Sequence, residues 1–277
     1  RLHFPFNDER AFPSAKNSIH SILTRMPMHR RLWVNDPDCV LLRQDESDLT
    51  PVEIQTLAAV VALSAGAFIV SDPLKLLGRE GEELLAMLLP PLNEQARVLD
   101  WFSKTYPQKL VLPLEGPSGE WLLGAYINWG ESPVTVEIDP QEYTMEAGIP
   151  VHVFDIWGQN AARLAPGDTF PLHIEPHGSG LFALRKAEQL PQWVGDSLHI
   201  SQGGIIRSWL VEDGMLEIDL DTSQPRSGSV WLAIPGEISD AAAGGGPVEM
   251  VSLVGGITRF DIKLPEHSKL KVRWKQK

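Results

Sequence analysis

Cysteine and long apolar runs are both scarce in this chain. Cys39 is the single cysteine among 277 residues, which excludes an internal disulfide framework and any cysteine-rich metal site. Cys39 is therefore a small buried hydrophobe, a reactive thiol or part of a pocket wall. No run approaches the roughly 18 uncharged apolar residues that a membrane-spanning helix requires, so no membrane partner is expected.

Positive charge is also scarce. The chain has 24 Lys and Arg against 36 Asp and Glu, a formal net charge of -12, whereas nucleic-acid-binding proteins concentrate basic residues on one face. We expect no nucleic acid partner and favour a neutral or cationic one. The chain begins with Arg1 rather than Met and shows no signal peptide, which leaves the native N-terminus open. A cytoplasmic location is slightly favoured, and the sequence is compatible with an oligomer.

The first part of the chain alternates helix and strand patterns. Apolar residues recur at helical spacing over residues 14–29. "RLWVN" then predicts a short strand that ends near Asn35, before the turn residues of "DPD". The "TPVE" capping box at residues 50–53 predicts a helix over residues 51–64. "AFIVSD" predicts a second buried strand, and "GREGEELLAMLLPP" predicts a further helix. This order is typical of βα units in a parallel sheet.

Beyond about residue 97, short strands separated by turns replace the helices. Asp213-Gly214 is a strong hairpin signal, and Pro166-Gly167-Asp168 predicts another turn. This part is too long for one sandwich of about 100 residues, so we predict two that meet near residues 188–194, with "AAAGGG" as a flexible loop. The predicted strands are "KLVLPL", "WLLGAYINW", "VTVEI", "VHVFDIW", "FPLHI", "GLFALR", "SLHIS", "IIRSWLVE", "MLEIDL", "SVWLAI", "ITRFDIKL" and "KLKVRW".

Three segments of the first part carry a family likeness: "LTRMPMHRRLWVNDPDCVLLR", "LTPVEIQTLAAVVALSAGAFIVSDPLKLL" and "LLPPL". Together they resemble the end of the catalytic (β/α)8 barrel of glycoside hydrolase clan D, most closely the family 36 α-galactosidases or melibiases. A Trp-x-Asn-Asp-Pro-Asp motif follows barrel strand seven in that family, and a Ser-Asp pair follows strand eight. The matching residues here are Trp33, Asn35, Asp36, Pro37, Asp38, Ser71 and Asp72.

The resemblance implies the C-terminal part of a retaining hydrolase of α-linked galactosides that needs no cofactor. It identifies residues 1–96 as the last two βα units of the barrel, and the two predicted β-sandwiches then take residues 97–187 and 188–277. The family's nucleophile and acid/base aspartates precede the matching region, so no residue here is expected to be catalytic. The rest of the same enzyme would then be a partner of this chain, because two βα units cannot close an eight-stranded barrel.

The same resemblance assigns roles around residues 36–39, which we call the acidic corner. Asp38 would accept hydrogen bonds from sugar hydroxyl groups and Cys39 would form part of the pocket wall. Trp33 could stack on a sugar face, although a tryptophan in a strand more often belongs to a core. Asn35, Asp36 and Asp72 would support the turn and its surroundings. For Asp36 we favour backbone hydrogen bonds within the turn, and for Asp72 we favour capping of the next helix.

Other site types receive little support from the sequence. His173 and His177 are four residues apart, but they lie in a strand and turn, where this spacing does not converge on a metal as it does on a helix. His199 adds no metal motif, so we expect no metal site. "HGSG" does not fit the Gly-x-Ser-x-Gly pattern, and no glycine-rich phosphate loop precedes a helix.

A second function stays open beside the hydrolase. The chain could be a non-catalytic carbohydrate-binding or structural β-sandwich module. Exposed aromatic side chains on one sandwich face would favour that alternative, and buried tryptophans would count against it. Within the enzyme class, a related α-glycosidase or a galactosyl transferase also stays open.

Overall fold

The computed structural model describes residues 4–7, 13–222, 225–265 and 268–275. The described residues form mostly antiparallel β-sheets with few helices. They divide into two compact units, of which unit 1 comprises Arg1–Leu112, Gly124–Glu137 and Pro171–Leu181, and unit 2 comprises Pro113–Leu123, Ile138–Phe170 and Phe182–Lys277. No described helix is long and apolar enough to cross a membrane.

The three helices of unit 1 confirm the helices predicted from the sequence. Ser14 accepts a hydrogen bond from the Asn17 backbone N–H at the start of the first helix. Thr50 and Glu53 form the predicted capping box at the start of the second, which ends in a left-handed Ala65. The helices are α1 (Ala15–Arg25), α2 (Pro51–Ser64) and α3 (Gly78–Leu88).

The two strands of this part form one short parallel pair. Strand β1 (Cys39–Val40) pairs with β2 (Ile69–Val70), so the predicted parallel strand in "AFIVSD" is confirmed. The predicted strand in "RLWVN" is wrong. Backbone N–H groups of Arg31 and Leu32 donate to the Met28 carbonyl oxygen, which folds this segment as a turn. Local turn hydrogen bonds therefore outweigh the β-propensity of its apolar residues.

The rest of the chain is antiparallel β-structure. Most predicted strands are present, but "SLHIS" is an irregular turn, and several strands rich in small or polar residues were not predicted. The strands are β3 (Arg97–Val98), β4 (Lys109–Gly116), β5 (Gly119–Ile127), β6 (Val134–Ile138), β7 (Val151–Asp155), β8 (Asn160–Leu164), β9 (Phe170–Ile174), β10 (Ser179–Lys186), β11 (Gln192–Asp196), β12 (Ile206–Glu212), β13 (Met215–Leu220), β14 (Arg226–Ala233), β15 (Glu237–Ala243), β16 (Gly246–Pro247), β17 (Glu249–Ser252), β18 (Ile257–Leu264) and β19 (Ser268–Lys275).

Two hairpins show how turn residues set the strand connections. The predicted hairpin at Asp213-Gly214 is confirmed, since both residues have positive φ and join β12 to β13. The predicted flexible loop "AAAGGG" is wrong because its alanines complete β15. Gly244 and Gly245, both with positive φ, then turn the chain into β16.

The sheets differ in size and partners. One six-stranded sheet has the order β3-β4-β5-β10-β7-β8, and β6 pairs with β9. In unit 2, a four-stranded sheet of order β11-β14-β18-β17 and a five-stranded sheet of order β12-β13-β19-β15-β16 share one apolar core, which is the arrangement of a β-sandwich. Core residues from the two sheets include Trp193, Val230, Leu232, Phe260, Leu216, Ile218, Leu270 and Val272.

Three basic residues of unit 2 lie side by side on the neighbouring strands β10, β7 and β8. His152 on β7 lies opposite Arg185 on β10 and Arg163 on β8. Burial first, and then the charges of Arg163 and Arg185, lower the pKa of His152 from 6.5 to about 4. The imidazole is therefore neutral near neutral pH, and folding disfavours its protonation.

We expect the free energy of unfolding to fall on acidification because of His152. Its folded pKa lies below the ordinary value, so its full contribution is present above pH 6.5 and is lost as the pH falls towards about 4. The loss should approach about 3 kcal/mol. Urea unfolding of wild type and His152→Gln across this window should give a shallower pH dependence for the variant, which cannot titrate. Equal slopes would contradict the assignment.

We also expect Gly195→Ala to destabilise unit 2. A Cβ atom at Gly195 would lie 2.2 Å from Cγ of Phe154, whose ring packs 4.7 Å from the Trp231 ring centroid. Overpacking of this kind costs about 1–3 kcal/mol, measurable as a lower urea midpoint. Gly246→Ala is the matched control, since the nearest atom to its Cβ is 3.9 Å away. A Gly195→Ala protein as stable as this control would contradict the packing argument.

Candidate functional site

Asn35 holds the segment before β1 against the end of α1. Its amide nitrogen donates to the Arg25 carbonyl oxygen at 2.9 Å, and its amide oxygen accepts the Trp33 indole N–H at 2.8 Å. Its backbone N–H donates to Nδ1 of His29 at 3.0 Å. Burial and the charge of Arg30 lower the pKa of His29, which keeps Nδ1 available as an acceptor. The buried Asn35 therefore fixes the position of Trp33, which is 53% exposed.

The acidic corner is a tight turn. An Asp36 carboxylate oxygen accepts the Asp38 backbone N–H at 2.9 Å, and an Asp38 carboxylate oxygen accepts the Cys39 N–H at 2.8 Å. Asp38 itself has a φ of 66°, a left-handed conformation that aspartate tolerates better than most residues. Pro37 is buried against Gly66, where a Cβ atom would lie 2.8 Å from the proline ring. The turn is therefore built from local hydrogen bonds and one close backbone approach.

The position of this turn differs from the expected one. Because "RLWVN" is not a strand, Asp36 and Asp38 precede β1 and lie at its amino end. Ser71 and Asp72 instead follow β2 directly and lie at the carboxyl end of the parallel pair. The prediction that the acidic corner directly follows a strand is therefore wrong. In (β/α)8 barrels, catalytic groups lie at the carboxyl ends of the strands.

One contact nevertheless joins the two segments. The Ser71 hydroxyl group donates to Sγ of Cys39 at 2.7 Å. This hydrogen bond lowers the pKa of the Cys39 thiol, but the Asp38 hydrogen bond, burial and the charges of Asp38 and Asp36 together raise it above its ordinary value. A protonated thiol is a poor nucleophile. The surroundings of Cys39 therefore suit a wall position better than a reactive one.

Asp72 organises the loop after β1. One carboxylate oxygen accepts the backbone N–H groups of Leu42 and Arg43 at 2.5 and 3.1 Å. The other lies 3.2 Å from Nε of Arg43. The prediction that Asp72 caps the next helix is wrong, because neither the 3-10 helix Leu74–Leu76 nor α3 has a side-chain cap. The buried carboxylate of Asp72 is satisfied by the neighbouring strand loop instead.

Sequence reasoning missed Arg43 and His29 as neighbours of the site. Arg43 lies at the carboxyl end of β1 and pairs with Asp72. A single basic residue after a strand and an aspartate after the next strand is a signal that could have suggested this pair. His29 gives no such signal, because its contact with Asn35 depends on the turn that the strand prediction overlooked.

The three histidines considered as metal ligands each contact different side chains. His173 lies 3.5 Å from Glu175, while His177 lies against Glu53 and Glu131. His199 is buried beside the Ser201 hydroxyl group at 2.6 Å. Among the described residues, no group of three or more His, Cys, Asp or Glu side chains is arranged to hold a metal ion.

The fold resembles several solved structures at low identity, and no family model matches the chain. α-Galactosidase I from Mortierella vinacea gives a TM-score of 0.53 at 13% identity, over 67% of this chain and 51% of that one. A glycoside hydrolase family 27 β-L-arabinopyranosidase from Geobacillus stearothermophilus, in complex with arabinose, gives 0.50 at 14%, over 62% and 42%. The α-galactosidase from Saccharomyces cerevisiae with raffinose gives 0.49 at 12%, over 67% and 57%.

The similarities to the Mortierella and Geobacillus structures show a shared fold. The chain spans about half the length of the Mortierella structure. Its antiparallel sheets are consistent with the C-terminal β-domain of family 27-type enzymes, whereas the barrel expected over residues 1–96 is represented among the described residues by one parallel strand pair.

We expect Asp72→Asn to destabilise the loop after β1. The Asn side chain has no negative charge to pair with Arg43. Its amide N–H groups can also face the backbone N–H groups of Leu42 and Arg43, which are donors themselves. Breaking such a buried arrangement costs about 2–4 kcal/mol, measurable by urea unfolding. Asp45→Asn, at an exposed turn position, should change stability by no more than about 0.5 kcal/mol. Equal effects of the two substitutions would show that Asp72 has no special role.

Proposed function

We propose that this chain is part of a retaining α-galactosidase-like glycoside hydrolase of clan D. Residues 1–96 would supply the last two βα units of the catalytic barrel, and residues 97–187 and 188–277 would form two β-sandwich domains. The observation that carries the proposal is the parallel pair of β1 and β2 joined through the capped helix α2, directly after the "WVNDPD" motif. The fold shared with an α-galactosidase structure supports it.

The proposed chemistry is a double displacement through a covalent glycosyl intermediate. Retaining enzymes need a nucleophilic carboxylate and an acid/base carboxyl about 5–5.5 Å apart. In the proposal both are aspartates upstream of the matched region, and no residue of this chain performs either step. Asp36 and Asp38 suit other roles, because each already accepts a backbone N–H within the turn.

Residues of the acidic corner would instead bind the sugar. The exposed Asp38 carboxylate would accept hydrogen bonds from galactose hydroxyl groups, and the protonated Cys39 thiol would form an adjacent wall. The half-exposed indole of Trp33 would offer an apolar plane to the sugar ring. Asn35, Asp36 and Asp72 would hold these side chains in place through the hydrogen bonds described above.

The family within clan D is part of the proposal. The motif of residues 33–38 resembles family 36, whereas the Geobacillus structure with a similar fold is a family 27 enzyme. We favour family 36 on the motif. The substrate class is an α-galactoside or a related sugar, and no cofactor is required by this chemistry.

Exposed apolar side chains support the proposal that the rest of the barrel is a partner of this chain. Leu32 and Val34 before β1, and Ile69 in β2, are all exposed. A parallel strand pair leaves two edges and two apolar faces that other barrel strands and helices ordinarily cover. We propose that an N-terminal portion of the same enzyme covers them.

The alternative of a carbohydrate-binding sandwich module is less well supported. All nine tryptophans lie in the described residues, and Trp33, outside the β-region, is the exposed one. Trp121, Trp193 and Trp231 are buried, and Trp129, Trp157 and Trp209 are partly buried. A sandwich that binds sugars through a flat aromatic face would expose some of these side chains.

An activity assay tests the proposal directly. The longest native polypeptide that contains these residues should release galactose from an aryl α-galactoside with retention of anomeric configuration, followed by NMR. The 277 residues alone should give no turnover. Turnover by the isolated chain would overturn the upstream placement of the catalytic pair, and no turnover by the native polypeptide would overturn the hydrolase itself.

In that polypeptide, Asp38→Ala should lower kcat/KM by at least about tenfold, because a lost hydrogen bond to a charged acceptor costs about 1.5–3 kcal/mol. Asp45→Ala is the control and should leave kcat/KM unchanged. Unchanged kcat/KM in Asp38→Ala would remove this residue from the sugar site.

A further inference from the structure

The four edge strands of the unit 2 sandwich differ in how they are protected from pairing with another chain. Natural proteins protect sheet edges with charged residues, proline, β-bulges or burial. Strand β11 is buried except for the partly buried Gln192, and it has a bulge after Trp193. Strand β12 has a bulge and the exposed, charged Arg207 and Glu212. Strand β16 contains Pro247. Three of the four edges are therefore protected.

Strand β17, the fourth edge, has none of these protections. Its sequence is Glu-Met-Val-Ser, its register against β18 is regular, and all four residues are exposed. Glu249 is the one charged residue among the four. The apolar surface continues past the strand through Leu253 and Val254, and Val254 is 93% exposed. An uncovered apolar edge of this kind is a template for another strand.

Hydrogen bonding to β18 shows which backbone groups of β17 are free. The Leu253 N–H donates to the carbonyl oxygen of Ile257, the residue opposite it. Bonded and non-bonded pairs alternate along an antiparallel ladder, so Val251 also bonds to β18. Met250 and Ser252 instead point their N–H and C=O groups away from β18, towards the open edge of the sheet. No described residue pairs with these groups.

The free groups fit a second copy of the same strand in antiparallel register. With Val251 opposite Val251 of the partner, Met250 lies opposite Ser252 of the partner, and each of these symmetry-related pairs exchanges two backbone hydrogen bonds. Both free residues of both copies are then used. A shift that places Met250 opposite itself would leave Ser252 facing Val248, which lies outside the strand.

Charges and apolar side chains agree with this register. Glu249 lies opposite Leu253 of the partner, and the two Glu249 carboxylates are four positions apart, about 14 Å at 3.4 Å per residue. This separation exceeds the Debye length of about 8 Å at physiological ionic strength, so their repulsion is screened. Because opposite side chains share a face of the sheet, Val251 and Leu253 of both copies form one apolar patch.

We propose that the chain forms a two-fold symmetric dimer in which the β17 strands of two copies pair about Val251 and join their four-stranded sheets. A standard interface takes about 20–30 residues from each partner, whereas residues 249–254 supply only a small part of that. The dimer is therefore weak, and its population depends on concentration. It does not depend on the proposed hydrolase function.

Sedimentation over a concentration series tests the dimer. The longest native polypeptide that contains these residues should show a mean mass that rises between about 1 μM and about 1 mM, the range of a weak interface. Val251→Lys should lower the association constant at least about tenfold, because it removes apolar contact and places two ammonium groups opposite each other. Val211→Lys is the matched control, since Val211 lies on the protected strand β12 and is 43% exposed against 41% for Val251.

Cross-linking tests the register. Val251→Cys should form an interchain disulfide under oxidised glutathione, because residues of a non-hydrogen-bonded pair have Cα atoms about 4.5 Å apart, within disulfide range. Glu249→Cys is the control and should not cross-link, since its two Cα atoms would be about 14 Å apart.

Hydrogen exchange in wild type tests the same register without a substitution. Rising concentration should slow the exchange of the Met250 and Ser252 N–H groups more than that of Val251, which already bonds to β18. A mass independent of concentration, equal association of the two lysine variants, or equally fast cross-linking of the two cysteine variants would each overturn the proposal. Slow exchange of Met250 and Ser252 in a monomer would overturn it in favour of another part of the polypeptide covering β17.

Discussion

The carboxylate of Glu53 is the interaction on which the helical part of the chain depends. One oxygen accepts the Thr50 N–H at 2.7 Å and closes the capping box, and the other lies 2.7 Å from Nδ1 of His177. A buried carboxylate is tolerated only when its oxygens have such partners. Because Glu53 is buried with most of α2, the start of this helix and the turn at His177 are fixed together.

Helix α2 in turn positions both strands of the parallel pair. It follows the loop after β1 and ends at Ser64, and the left-handed Ala65 then leads the chain back towards β2. Gly66 lies so close to Asn35 that a Cβ atom would be 2.7 Å from the Asn35 carbonyl oxygen. The end of α2 therefore packs against the acidic corner, while its start contacts His177. The geometry of the candidate site depends on this one helix.

The helices of this chain could be predicted because their signals are local. Thr50, Pro51 and Glu53 specify the start of α2 within four residues, and the apolar run that follows specifies its burial. The strand predicted at "RLWVN" failed because the segment bonds to residues that precede it: Asn35, for example, bonds to Arg25 and His29. Strands such as β8 and β15 were missed because the prediction relied on alternating apolar residues. Their small and polar residues form the backbone hydrogen bonds of a sheet without that pattern.

Of the site itself, sequence reasoning placed Asp72 correctly after β2, but it misplaced Asp36, Asp38 and Cys39 relative to the strand. Motif resemblance identifies residues without fixing where a two-residue strand begins. The contact of Cys39 with Ser71 depends on the register of β1 against β2, and the pairing of Arg43 with Asp72 depends on the loop that follows. Neither can be read from spacing along the chain.

Carboxylates in this acidic chain serve repeatedly as acceptors for backbone N–H groups in irregular loops. Asp72 accepts two such groups after β1, Asp100 accepts those of Gln108 and Lys109, and Asp196 accepts those of Leu198 and His199. Burial raises the pKa of Asp196 to about 6 although these donors act against the shift.

Asp36 and Asp38 follow the same structural pattern, so an acidic cluster here is not by itself an indication of catalysis. Unlike Asp72 and Asp196, which are buried, Asp36 and Asp38 are exposed. A carboxylate held at a fixed angle by its own turn, and open to solvent, can bind a sugar hydroxyl group without first being reorganised, which is the property a binding wall requires.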